Sequence, residues 1–243
     1  MCNQEHIHFN LNLNNLKKIK LKLATFLLIV SSLILSAQSI KFNSPIVDND
    51  VIFQENNGML AVEAEYFNKQ SKSEQRQWYI TSKDATTNVG RDEDKPHQEG
   101  ASNDAYIEIL PDTRVTHADK LVQGENFSNK AGEIAVLHYK VRFSNPGRYY
   151  VWARAFSTGS EDNGIHVGLN GEWPAHGQRM QWCQGKNKWT WESKQRTKEE
   201  HCGVPKEIYL DIEKVGTHDI QFSMREDGFE FDKFILTKDS TYI

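Results

Sequence analysis

The chain has 243 residues, of which 38% are hydrophobic and 11% aromatic, and it carries a formal net charge of −4 at pH 7. That length is sufficient for one domain with a substantial core. Lysine and arginine form no basic stripe, which excludes nucleic acid and anionic membrane surfaces as expected partners.

Residues 1–37 have the layout of a secretory signal peptide. A positive region comes before an apolar run from Leu23 to Leu35, and a small-residue cleavage point follows at Ala37. The positive region consists of Lys17, Lys18, Lys20 and Lys22. Because the run is short for a transmembrane helix, we expect export to the periplasm or the cell exterior, with no membrane contact after cleavage. An uncleaved N-terminal anchor is the alternative.

Residues 38–57 form a polar lead-in that contains Pro45 and several Asn and Asp residues. This composition predicts a flexible tether. The predicted domain therefore occupies residues 58–238.

Two segments far apart in the chain alternate with period two and are predicted β-strands, Leu60–Phe67 and Phe229–Leu236. Glu63 and Glu65 share one face of the first strand, where burying them unpaired would be costly. Asp232 stands in the second strand where an apolar residue is expected. A hard cation such as calcium takes several oxygen ligands, so these three acids are candidate metal ligands. Water at a sheet edge or basic side chains are the alternatives.

The middle of the chain predicts an antiparallel sandwich. Residues 68–103 are polar, apart from a short stretch around Trp78, and are longer than most loops, which indicates a functional surface or a wrapped insertion. From Glu133 onward, strand patterns recur roughly every 10 to 15 residues with short turns between them. Trp152 lies in one of these alternating strands and is predicted to be in the core.

Three tryptophans follow in a polar stretch that carries several amide and basic side chains: Trp182, Trp189 and Trp191. Sugar-binding sites pair an aromatic platform with such hydrogen-bonding groups. Trp189 and Trp191 have the same parity, so on an extended strand they point to one side. Burial of these tryptophans in the core is the alternative.

Cys183 and Cys202 are the two cysteines that remain after the predicted leader. In an exported protein such a pair most simply forms one disulfide. Two buried free thiols are the alternative.

Five motifs in order resemble the carbohydrate-binding modules of families 6, 35 and 36, and the chain is also similar to the C-terminal sandwich domain of family 115 glycoside hydrolases. The motifs are Glu63-Ala64-Glu65, the hairpin from Ile134 to Ala155 with its Asn145-Pro146-Gly147 turn, His166 to Gly171, Val215 to Ile220, and the strand with Asp232. The resemblance implies an all-β fold, a single antiparallel β-sandwich of the jelly-roll, galactose-binding-like type. It also implies adjacent first and last strands whose acids, Glu63, Glu65 and Asp232, hold a structural calcium.

The resemblance further implies non-catalytic binding of a polysaccharide or oligosaccharide by loops at one end of the sandwich. The predicted ligand contacts are Trp182, Trp189, Trp191, Arg154, Asp162, Asn163, Arg225 and Asp227. Because arginine contacts carboxylate or sulfate groups through two hydrogen bonds, an acidic or sulfated glycan is expected. The sequence contains no Gly-x-Ser-x-Gly nucleophile motif. The alternatives are a small polysaccharide-active enzyme and an envelope structural or assembly protein.

Overall fold

The structure is a computed structural model that describes residues 43–84, 86–87 and 89–242. The predicted signal peptide, residues 1–37, lies outside these residues. No helix in the described ranges is long and apolar enough to cross a membrane.

The described part of the chain folds into fifteen β-strands and three 3-10 helices. The strands are β1 (Phe53–Gln54), β2 (Met59–Glu63), β3 (Lys69–Ser71), β4 (Gln77–Ser82), β5 (Ala105–Leu110), β6 (Val136–Phe143), β7 (Gly147–Phe156), β8 (Gly164–Leu169), β9 (Met180–Gln181), β10 (Trp189–Glu192), β11 (Lys194–Gln195), β12 (Val204–Pro205), β13 (Tyr209–Ile212), β14 (Gly216–Met224) and β15 (Glu230–Thr237). The 3-10 helices span Ala64–Tyr66, Ser102–Asp104 and Ala175–Gly177.

These strands form two sheets. One runs in the order β1-β6-β14-β8-β9-β11-β12, with β3 also paired to β6. The other runs in the order β10-β7-β15-β5-β4, with β13 paired to β7 and β2 paired to β15. Apart from the parallel β1–β6 pair, the strands pair antiparallel. The predicted fold class, a single antiparallel β-sandwich, is confirmed.

Aromatic side chains fill much of the space between the sheets. Tyr139 and Phe222 from the first sheet contact Phe234 from the second, with all three ring centroids 4.9 to 5.9 Å apart. Trp78 donates its indole N–H to the Ala135 carbonyl oxygen over 2.7 Å, which satisfies its polar atom inside the core. The core therefore joins strands from both ends of the chain.

The first and last long strands are neighbours, because β2 pairs antiparallel with β15 from Met59 to Glu63. The predicted strand to Phe67 ends early, since a 3-10 turn begins at Ala64. Side chains three residues apart align in a 3-10 turn, so Ala64 and Phe67 both reach the core. Glu65, inside this turn, is buried with them.

The last strand carries a bulge between Phe231 and Lys233. A bulge adds one residue to a strand and breaks its alternation locally. Phe231 and Phe234 consequently both reach the core, although three positions separate them. The sequence pattern suggested that Asp232 takes the place of an apolar core residue. Because of the bulge, it does not.

The lead-in is more ordered than its composition predicts. Phe53 and Gln54 form β1, and Glu55 is buried, accepting hydrogen bonds from the backbone of Ser144 and the side chain of Asn145. Asn68 donates to the Val51 carbonyl oxygen over 2.9 Å. The prediction of a flexible tether over residues 38–57 is thus wrong for its C-terminal part.

Cys183 and Cys202 form a disulfide with their Cα atoms 5.2 Å apart, as predicted. The bond links the end of β9 to the segment before β12. It closes the chain segment that contains β10, the strand of Trp189 and Trp191.

Replacing both cysteines, as in Cys183→Ser with Cys202→Ser, is expected to lower the free energy of unfolding by about 3 kcal/mol. The cause is the added entropy of an unfolded chain no longer closed over a separation of 19 residues. Urea denaturation of parent and variant measures the difference, and a reducing agent should shift the parent to the same midpoint. Equal midpoints for all three samples would contradict it.

Candidate functional site

The alternation of β7 places two sets of side chains on opposite sides of its sheet. Val151, Ala153 and Ala155 belong to the core cluster. Trp152, Arg154 and Phe156 have the other parity and lie on the face away from the core. Trp152 is buried, as predicted, but it lies outside the core cluster between the two sheets.

Strand β10 adds two tryptophans to this face. Trp189 lies opposite Phe156 and Trp191 opposite Arg154, and residues directly opposite in an antiparallel pair share a face. Both tryptophans are half-buried. We call the surface formed by Trp152, Arg154, Phe156, Trp189 and Trp191 the outer face.

Trp189 is held from several sides. Its indole N–H donates to the His97 carbonyl oxygen over 3.0 Å, and its ring packs edge-on against Tyr106 and Phe156. The guanidinium of Arg154 lies 5.7 Å from its ring centroid. Residues 91–100 form a crossing segment that covers this end of the outer face.

Trp191 instead borders a cleft of about 280 Å³. Trp152 lines the same cleft, and among the described residues no group accepts a hydrogen bond from its buried indole N–H. Lys194 and Lys206 bring positive charge to the cleft, and Lys194 Nζ lies 2.8 Å from Glu192 Oε1. The cleft thus combines two indole rings with cationic and anionic groups.

Arg154 connects the two predicted sites. Its guanidinium pairs with the fully buried carboxylate of Asp232 and donates to the Gly100 carbonyl oxygen over 3.0 Å. These bonds hold the crossing segment to β15. The structure therefore brings a predicted glycan contact together with a predicted metal ligand.

Five of the predicted glycan contacts are buried and do not face an open surface. Trp182 belongs to the core, where its ring packs edge-on against Phe229 at 5.0 Å. The other four are engaged in internal polar contacts: Asp162, Asn163, Arg225 and Asp227. Sequence spacing placed them in loops, but it did not show that the loops fold back onto the sandwich.

Asp162 and Asn163 stabilise the loop that follows β7. Both carboxylate oxygens of Asp162 accept hydrogen bonds from Ser157, Thr158 and Gly159. The backbone N–H of Asn163 donates to Glu226 Oε2 over 3.0 Å, and its side-chain oxygen accepts from Gln181. Such contacts fix the backbone of the loop and engage the polar atoms of these two residues internally.

Arg225 and Asp227 form buried ion pairs next to the start of β15. Arg225 pairs with Glu226. Asp227 Oδ2 lies 3.0 Å from Arg76 and accepts hydrogen bonds from the backbone and hydroxyl of Thr113. Burial raises the pKa of Asp227, while the Thr113 and Arg76 contacts oppose that shift. These pairs anchor the loops before β4 and β15.

The predicted calcium ligands lie around Ser102. Its N–H donates to Asp232 over 2.7 Å and its hydroxyl donates to Glu63 over 2.9 Å. Burial raises the pKa of Glu65 to about 8, and the carboxylates of Glu63 and Asp232 add to the shift. One oxygen each of Glu63 and Glu65 is buried with no partner among the described residues.

These two orphaned oxygens fit a hard cation, whereas Asp232 is already neutralised by Arg154. Within the described ranges, the one acidic and histidine group whose ligand atoms all lie within 4.8 Å of one another is a different one, Asp94, His97 and Glu230. The calcium site at Glu63, Glu65 and Asp232 thus stays a prediction, since these three acids do not form such a group among the described residues.

The fold and the outer face define an all-β sandwich with an aromatic-lined sheet surface. The chain is 62% identical over 228 residues to the uncharacterized protein P23 of Formosa agariphila, covering 94% of this chain and 55% of that protein. It thus spans about half the length of the curated relative that it matches. No protein-family profile matches the chain.

Several solved structures show a limited likeness to this chain. They include a GH26-CBM35 β-(1,4)-mannanase of Podospora anserina (14% identity, TM-score 0.41, 75% of this chain and 28% of that one). A family 35 carbohydrate-binding module of Clostridium thermocellum gives 13% identity and a TM-score of 0.37, covering 73% of this chain and 97% of the module. Since both TM-scores are below 0.5, the fold assignment rests on the strand pairing described above.

Asp227→Asn is expected to lower the free energy of unfolding by about 3 to 5 kcal/mol, because it leaves the buried Arg76 guanidinium without its counter-charge. Asp211→Asn is the matched control. Its exposed pair with Arg148 should contribute less than about 1 kcal/mol. Urea denaturation measures both, and equal small effects would show that the Asp227 pair is not structural.

Proposed function

We propose that this protein is a non-catalytic glycan-binding module whose ligand packs against Trp191 on the outer face. The observation that carries the proposal is the cleft between Trp152 and Trp191, with Lys194 and Lys206 on its border. An indole ring offers an apolar surface to the C–H face of a sugar, and charged groups at its edge bind hydroxyl or acidic substituents. The sequence resemblance to carbohydrate-binding modules of families 6, 35 and 36 supports the same function.

A larger cleft, of about 360 Å³, borders β13 and the turn that follows β8. Its lining includes Leu169, Pro174, His176 and Leu210, but none of the described lining residues is a tryptophan, tyrosine or phenylalanine. Without an aromatic platform it offers less to a sugar ring. The smaller cleft beside Trp191 is therefore the better candidate.

The charge of the site favours an acidic or sulfated glycan. Lys194 and Lys206 border the cleft, whereas the charge of the nearby Arg154 is already matched by Asp232. Glu192 offsets part of this charge through its contact with Lys194. A carboxylate or sulfate on the ligand would replace that internal partner with a direct ion pair.

We also propose that the protein is exported and that Glu63 and Glu65 hold calcium, with Asp232 near the ion. The signal-peptide pattern supports export, and the Cys183–Cys202 disulfide is typical of proteins in oxidising compartments. The unpartnered carboxylate oxygens of Glu63 and Glu65 support the ion. Calcium bound there would neutralise Glu65, which the fold buries at a cost, and would add to the contact that the partly exposed Glu63 makes with Lys233 over 3.8 Å.

Trp191→Ala is expected to weaken glycan binding by about thirtyfold, or 2 kcal/mol, because it removes the stacking surface of the cleft. Trp189→Ala should have a smaller effect on affinity, since the ring is already covered by the crossing segment. Affinity electrophoresis in gels that contain carboxylated, sulfated or uncharged polysaccharide shows which polysaccharide retards the protein. Calorimetry with that polysaccharide then measures the affinity of each variant.

Tyr242→Ala is the control, because Tyr242 is an exposed aromatic residue outside the cleft. Folded Trp191→Ala protein that binds as tightly as the parent would contradict the site. Release of reducing ends from the retarding polysaccharide would instead support the enzyme alternative.

Calcium is expected to raise the melting temperature of chelator-treated protein, because an ion that binds only the folded state stabilises it. Glu65→Gln should remove this response, whereas Glu199→Gln, which alters an exposed acid, should keep it. Thermal unfolding with and without calcium measures both. An unchanged melting temperature of the parent at millimolar calcium would count against the site.

A further inference from the structure

Three side chains with metal-ligating atoms meet beneath the crossing segment. His97 Nδ1 lies 2.8 Å from Glu230 Oε1, and His97 Nε2 lies 3.8 Å from Asp94 Oδ2. One ligand atom from each of the three lies within 4.8 Å of the other two. Two ligands of one zinc ion, each about 2.0 to 2.2 Å from the metal, are separated by roughly 3 to 4 Å. The cluster is therefore close to the dimensions of a metal site, with Glu230 on the Nδ1 side of the imidazole and Asp94 on the Nε2 side.

His97 is fixed in place by contacts that do not use its ring nitrogens. Its ring stacks on Phe156 with the centroids 3.8 Å apart. Its backbone N–H donates to the Tyr106 hydroxyl over 3.3 Å, and its carbonyl oxygen accepts from Trp189. The imidazole is thus held over β7 and β15 with its ring orientation already set.

Glu230 supplies an observation that points to a missing partner. Its side chain is 4% exposed, and its Oε2 has no hydrogen-bond partner among the described residues. Glu108 lies directly beside it on β5 but is already paired with Arg91. A buried carboxylate oxygen with no partner costs free energy unless a proton or a cation satisfies it.

The surroundings of the cluster carry excess negative charge. Burial, followed by the neighbouring carboxylate of Asp94, raises the pKa of Glu230 well above its ordinary value. Burial and the adjacent Asp92 raise the pKa of Asp94 to about 7. Burial also lowers the pKa of His97. A dication at the cluster would balance the charge of the acids.

We propose that Asp94, His97 and Glu230 bind a divalent cation of the zinc class. A mixed set of one imidazole and two carboxylates suits zinc, whereas calcium takes oxygen ligands. Three protein ligands leave a fourth position for water. The site is separate from Glu63 and Glu65 and does not depend on the glycan proposal.

Such an ion would tie the crossing segment to the sheet. Asp94 and His97 belong to the segment, whereas Glu230 belongs to β15. The segment also contacts Trp189 and Arg154, so the ion would hold one edge of the outer face in position. The role of the ion is structural, and the ion lies next to Trp189, which the crossing segment covers.

The test is calorimetric titration with zinc chloride. The protein is first treated with a chelator, and the chelator is removed before the titration. We expect one ion per chain. His97→Gln and Asp94→Asn should each weaken binding by at least about tenfold, since each removes one ligand. His117→Gln, at an exposed histidine, and Glu65→Gln, in the predicted calcium site, should bind zinc as the parent does. Cobalt used as a probe should give a visible absorption band that His97→Gln abolishes.

The proposal fails if the parent shows no saturable zinc binding, or if His97→Gln and Asp94→Asn, verified as folded by circular dichroism, bind zinc as tightly as the parent. Loss of binding in Glu65→Gln alone would also overturn it, because the ion would then occupy the other site. Glycan binding by metal-free protein leaves the glycan proposal intact whatever the zinc result.

Discussion

The cost of burying carboxylates governs how this sandwich is assembled. Asp227 and Asp232 are fully buried, and each is matched by an arginine that comes from a distant part of the chain, Arg76 and Arg154. Removing either partner would leave an uncompensated charge, which is far more costly than the loss of an exposed ion pair. The Arg76–Asp227 pair joins two loops and the Arg154–Asp232 pair joins two strands, so neutralising these carboxylates also fixes how distant segments are placed.

The seven-stranded sheet uses its two faces for different purposes. One face gives Val151, Ala153 and Ala155 to the core, and the other presents Trp152 and Arg154. Every side chain of β5 is buried, on both faces of the strand. The crossing segment covers part of the outer face and leaves the cleft beside Trp191 open. Rigid strands therefore carry the aromatic platform, which limits the ordering cost of binding a ligand there.

The proposed glycan and metal sites share neighbours but differ in chemistry. The cleft beside Trp191 combines indole rings with lysines, which suits the apolar and charged parts of an acidic sugar. Asp94, His97 and Glu230 instead lie under a segment that contributes a backbone carbonyl to Trp189. The same loop can thus stabilise the platform through its backbone and hold an ion through its side chains, and the two roles can be measured separately.

Local pattern in the sequence determined the strands, their alternation and the shared side of Trp189 and Trp191, because a strand alternates its side chains whatever it packs against. The order of motifs also indicated that the first and last strands are neighbours. The pair of cysteines after the predicted leader, Cys183 and Cys202, indicated the disulfide. Tertiary structure alone decided which polar loop residues remain available. Asp162 and Asp227 were predicted ligand contacts, but their loops bury them, Asp162 against the nearby Thr158 and Asp227 against Thr113, 114 positions away. The bulge at Asp232 and the meeting of His97 with Glu230, 133 positions later, also depend on packing. Contacts between distant segments are set by the closure of the whole sandwich, and local periodicity carries no information about them.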